Sequence, residues 1–157
     1  MQLKVTIPLL ISIFLCILYF SKEHEIRHLG TWNINLKKTK SWNSENCKLT
    51  EKQTYAHTQL VTKTQILFTK NTITFTSQEK EFIINKERTA KLIAFEESFQ
   101  YEILSSDENT IAIKIKDFMG EDSIDLIHFD DENNLWLYEG NTGFIYVNTR
   151  EFYKKAI

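Results

Sequence analysis

From Gly30 onward, apolar and polar side chains alternate along most of the chain. This period of two places successive side chains on opposite faces of a strand. Trp32, Ile34 and Leu36 alternate with Thr31, Asn33, Asn35 and Lys37, and Ile111, Ile113 and Ile115 alternate with Ala112, Lys114 and Lys116. Ile66 and Phe68 lead through Lys70-Asn71 into Ile73 and Phe75, which reads as a hairpin with a two-residue turn. Similar runs recur at 81–85, 90–96, 99–103, 123–130, 135–139 and 144–152, divided by polar or Gly-containing turns. The pattern predicts roughly eight to ten short strands and no helix within the body. Sequential hairpins form an antiparallel meander, and closing it removes the exposed edges, so the expected fold is all-β, a single up-and-down barrel. Lys38 to His57 is polar and breaks the alternation. It is expected to be a long loop at one mouth, with Trp42 as its candidate partner-binding residue.

Ahead of this body, Val5 to Phe20 is an uncharged, mostly apolar run flanked by Lys4 and Lys22. With Ser21 it reaches the lower limit of the roughly 17 to 25 residues that cross a bilayer as a helix. Tyr19 and Phe20 stand where a signal-peptidase cut requires small residues, so residues 1–21 are expected to be an uncleaved signal anchor. Cys16 follows Phe14 and Leu15 deep in the run, which argues against lipidation. The expected organisation is a transmembrane segment over 1–21, a juxtamembrane linker over 22–29 and the barrel over 30–157. Export places the barrel outside the cytoplasm, and the sequence holds no Asn-x-Ser/Thr acceptor. A bacterial inner membrane with a periplasmic or extracellular domain fits best. Only Cys47 lies outside the apolar run, so the exported domain has no internal disulfide.

Composition narrows the function. The 42% apolar and 25% charged content excludes a disordered chain. Four Gly and one Pro leave little for Gly-rich phosphate loops, and a net charge of −2 provides no basic stripe for nucleic acid.

Gly30-Thr31-Trp32 opens the first strand, and Arg150 lies in the last, within Tyr146 to Tyr153. In this the chain resembles the lipocalin-like (calycin) β-barrels, and among them the small bacterial ones, since it has neither a disulfide pair nor a C-terminal helix pattern. The resemblance spans Gly30 to Tyr153. It implies that Gly30, Trp32 and Arg150 close the barrel floor, with the Arg packed against the Trp, a pairing that cation–π attraction of roughly 0.5 to 2 kcal/mol would support.

His24-Glu25-Ile26-Arg27-His28 matches the H-E-x-x-H zinc pattern. A zinc peptidase also needs a third ligand and a buried helix, whereas this pentapeptide lies between an apolar segment and a strand, so the match is read as chance in a polar linker. His128 reads as a rim or hydrogen-bonded strand residue, and Asp130 to Asn134 as a solvated turn rather than a calcium loop. Glu96 and Glu97 face opposite sides of a strand and cannot form a shared acid and base. No catalytic constellation, metal or cofactor is expected. Phe68, Phe75, Phe99, Tyr101, Phe144 and Tyr146 occupy alternating positions that either line a cavity for an apolar ligand or fill the barrel. The expected function is a membrane-anchored, non-catalytic binding module, for instance an immunity or inhibitor protein acting on another protein. The alternative is a carrier of a lipid or other apolar small molecule, and the remote alternative is a zinc metallopeptidase.

Overall fold

The computed structural model describes residues 26–51, 53, 54, 63–85, 88–116, 120–138 and 148–157. The segment expected to cross a membrane and the candidate residues His24, Glu25, Phe144 and Tyr146 lie outside them. Among the described residues no helix is long and apolar enough to cross a membrane.

Among the described residues the elements follow in order: β1 Gly30–Ile34, α1 Leu36–Asn46, β2 Lys63–Phe68, β3 Thr72–Ser77, β4 Lys80–Asn85, β5 Arg88–Leu92, β6 Phe95–Ser106, β7 Thr110–Lys116, β8 Asp122–Asp131, β9 Asn134–Tyr138 and β10 Arg150–Lys155. Eight of them close into an antiparallel barrel in the order β1-β10-β9-β8-β7-β6-β3-β2, consistent with a lipocalin-like fold. The alternation of residue types thus encodes the architecture, because each inward row supplies core and each outward row solvent surface. The β2–β3 turn is the two-residue one expected, with Phe68 opposite Ile73 and the Thr69 amide bonded to the Thr72 carbonyl at 2.9 Å.

Two expectations are corrected. The runs at 81–85 and 90–96 do not both enter the barrel: β4 and β5 pair only with each other among the described residues, and β3 pairs directly with β6, Ile73 opposite Phe99 and Phe75 opposite Glu97. The hairpin is therefore a side excursion. The second correction is α1, which stands where a loop was expected and carries Trp42 on a helix.

The helix forms because its polar residues have backbone to satisfy. Asn35 caps its N-terminus, the side-chain oxygen accepting from the Lys38 amide at 3.1 Å. β1 pairs with β10 only at Tyr153, Lys154 and Lys155, which leaves the 150–152 edge of β10 beyond the end of β1. The helix takes over there. The Asn35 amide donates to the Phe152 carbonyl at 2.7 Å, and the Phe152 amide donates to Thr39 Oγ1 at 2.9 Å. Asn43 accepts from the Arg150 amide at 2.9 Å and donates to the Arg150 carbonyl at 2.8 Å. Cys47 Sγ continues the row to the Asn148 carbonyl at 3.8 Å. Residues 35, 39, 43 and 47 recur every four positions, about 6 Å along a helix, close to the roughly 6.6 Å two-residue repeat of a strand. One helix face therefore substitutes for a missing strand, and Thr39 and Asn43 are buried although polar.

Candidate functional site

At one end the barrel is closed by short turns and by residues 26–29. Trp32, Ile66, Phe68, Ile111, Leu135 and Tyr153 are buried within it. His28, expected in a polar juxtamembrane linker, is 1% exposed and packs edge-on against Phe68 and Tyr101, with ring centroids 5.5 and 5.8 Å away. The Tyr101 hydroxyl donates its single proton to the Thr69 carbonyl at 2.7 Å, so the 2.6 Å contact with His28 is Nε2–H donating into the phenol oxygen. Burial pushes the Tyr101 phenol up to about 12. His28 Nε2 is thereby committed to a structural bond. Arg27 lies over Phe129, 3.9 Å from the ring centroid, and donates to the Asp107 and Glu108 carbonyls of the β6–β7 turn.

Trp32 is fully buried, and its indole N–H donates to the His28 carbonyl at 2.7 Å. The cation near its ring is Lys155, 5.2 Å from the centroid, rather than Arg150. Register explains the exchange. Trp32 lies opposite Lys155, so the two share a face, and Arg150, five residues earlier on β10, falls on the other. Gly30, at φ +110°, begins β1 in a conformation that side-chain-bearing residues rarely adopt. Arg150 lies outside the barrel, its guanidinium 3.7 Å from the centroid of Trp136 and 4.1 Å from that of Trp42. His128 stacks on Trp136 at 3.9 Å, extending the column. Burial, then the nearby Arg150 charge, lower the His128 pKa, against a smaller opposing pull from Asp107.

Toward the other end the packing changes. Phe75 and Phe99 are only partly buried, with ring centroids 6.2 Å apart, and Glu97, Ser123 and Asp125 are exposed. A cavity of about 560 Å³ opens there. Its walls are Ile73 and Phe75 of β3, Ile113 of β7, Ser123, Asp125 and Ile127 of β8, and Leu137 of β9. Among the described residues, the β8–β9 ladder stops at His128 opposite Trp136, while β8 continues with β7 up to Asp122 opposite Lys116. The cavity reaches Ile124, Leu126 and Tyr138 beside this parting.

Of the aromatics predicted to line a cavity, Phe75 does. Phe68 and Tyr101 belong to the packed end, and Phe99 lies beside Phe75. Pattern reading missed Ile113, Ile127 and Leu137 as cavity walls, since their alternation is the same as that of core residues. Glu96 and Glu97 pair with Thr76 and Phe75 respectively, which puts them on opposite faces. Asp131 makes a turn, its carboxylate accepting from the Asn133 amide at 2.8 Å and held below the usual range chiefly by that bond. Among the described residues no group of three His, Cys, Asp or Glu is placed to hold a metal ion. No family model matches the chain, and no curated protein or solved structure matches it either.

Proposed function

We propose that the chain is a lipocalin-like, non-catalytic binding module that takes an apolar small molecule into the unfilled half of its barrel. The supporting observation is the cavity of about 560 Å³ walled by Ile73, Phe75, Ile113, Ile127 and Leu137. Its size falls within the roughly 300 to 1,000 Å³ of small-molecule sites, and its walls are mainly apolar with Ser123 and Asp125 as polar groups. In this reading residues 1–21 anchor the module in a bacterial inner membrane and hold the barrel outside the cytoplasm, near a source of apolar ligands.

The test is a fluorescence titration of the full chain with N-phenyl-1-naphthylamine, which brightens in apolar surroundings. Saturable binding is expected, and Leu137→Trp, which fills the cavity, weakens it by about tenfold. Undiminished binding in a folded Leu137→Trp protein contradicts the proposal.

A second reading, recognition of a protein in the manner of an immunity or inhibitor protein, draws on the outer face. Leu104, Ile124, Leu126 and Tyr138 are exposed there, 40% or more in each case. In that case Leu104→Asp, on the same outer face but away from the cavity lining, abolishes partner binding and leaves the naphthylamine titration unchanged.

A further inference from the structure

Between α1 and the outer face of the β9–β10 ladder lies a second cavity, of about 530 Å³, lined by Trp42, Asn46, Lys48, Tyr138, Asn148 and Arg150. Arg150 is its unusual member. Its guanidinium is held between the indoles of Trp42 and Trp136, 4.1 and 3.7 Å from their centroids, with Tyr138 at 5.8 Å. Contact with two aromatic rings restricts the group, yet it satisfies none of its N–H donors. Its Nε is buried without a hydrogen-bond partner, and among the described residues its side chain makes no hydrogen bond or ion pair. The backbone of Arg150 is pinned at the same time by Asn43. A guanidinium so placed is pre-organised at backbone and side chain and carries a charge that no group among the described residues pairs with.

We propose that this cavity is a site for an organic oxyanion, a carboxylate or phosphate on a flat apolar body, distinct from the barrel interior. The in-plane donors of Arg150 suit the two oxygens of such a group, as paired charge-assisted hydrogen bonds require. Lys48 adds a second cation at the wall, Asn46 and Asn148 supply amides, and Tyr138 and the exposed side of Trp42 offer surfaces for the apolar body. The fold supplies the site by its substitution of a helix for a strand: the Asn35, Thr39, Asn43 row that completes the β10 edge is what brings Trp42 over Arg150.

Titration of the full chain with benzoate and with phenyl phosphate, followed by tryptophan fluorescence, tests the assignment, with benzamide as the neutral control and inorganic phosphate to separate anion from ring. Saturable quenching by benzoate or phenyl phosphate is expected, at least about tenfold tighter than for benzamide, as charge-assisted bonds predict. Weaker binding of inorganic phosphate would locate the remainder of the affinity in the aromatic wall. Arg150→Gln is expected to reduce the affinity about tenfold or more, and exposed Lys48→Ala about threefold without disturbing the fold. Benzamide binding as well as benzoate, or anion binding unaffected by Lys48→Ala and by a folded Arg150→Gln, overturns the proposal. So does the absence of saturation by either aryl anion up to about 10 mM, the weak end of measurable affinity.

Discussion

The two ends of the barrel are built from the same alternation and differ in what the inward positions hold. At the closed end, Phe68, Tyr101 and His28 interlock edge to face, Trp32 packs edge-on against Phe129, and the polar side chains Tyr101 and His28 hydrogen-bond to each other, Tyr101 also to a turn carbonyl. At the far end, Phe75, Phe99 and Leu137 are half-buried, and the inward row of β8 turns from Ile127 to Asp125 and Ser123. The difference teaches that alternation specifies closure of a barrel but not its filling. Filling is set by side-chain volume and by where polar residues enter the inward row.

The largest expected effect falls at the closed end. Trp32→Ala removes a fully buried indole and its bond to the His28 carbonyl, and should cost about 3 to 5 kcal/mol in urea unfolding. Phe75→Ala at the open end should cost much less, below about 2 kcal/mol, since the ring is only partly buried. Equal costs would erase the contrast. Asn43→Ala leaves the Arg150 amide and carbonyl without their helix partners and should cost about 1 to 3 kcal/mol. The exposed neighbour Ser44→Ala should cost under about 0.5 kcal/mol.

Two pH effects sharpen the comparison further. Tyr101 is an acid whose folded pKa is pushed up to about 12 by burial, so above the ordinary value of 10.0 the unfolded chain loses the proton first. Stability should therefore fall as pH rises above about 10. Thermal unfolding of Tyr101→Phe should show a smaller alkaline decline, although that variant is less stable at neutral pH. His128 shifts the other way: its folded pKa lies below the ordinary 6.5, so the unfolded chain binds the proton first as pH falls. Stability is complete above 6.5 and declines as the solution is acidified below it. A denaturation series in which His128→Gln keeps the same acid slope would remove His128 as its cause.

Much of the fold is legible in the sequence. The strands from Ile66 to Phe75 and from Ile111 to Ile115, the closed antiparallel barrel and the burial of Trp32 follow from period and residue type. The helix does not, because its buried face is polar: Thr39 and Asn43 are buried for the sake of β10 backbone groups, a role without a hydrophobic signature. The exchange of Arg150 for Lys155 beside Trp32 depends on register, which a one-residue shift inverts and which no local pattern fixes. For the cavity, the aromatic alternation could not separate Phe75, which lines it, from Phe68 and Tyr101, which pack at the other end. The clamp on Arg150 joins three residues remote in sequence, Trp42, Trp136 and Arg150, and becomes visible only once the helix is docked on β10.

The most direct measurement is native mass spectrometry of the full chain, purified in mild detergent without delipidation, compared with its denatured mass. A barrel with one unfilled half should retain an added mass of small-molecule size, and Leu137→Trp should lose it. A folded wild-type chain that carries no added mass, and acquires none when offered N-phenyl-1-naphthylamine, would contradict the assignment of that half as a binding cavity.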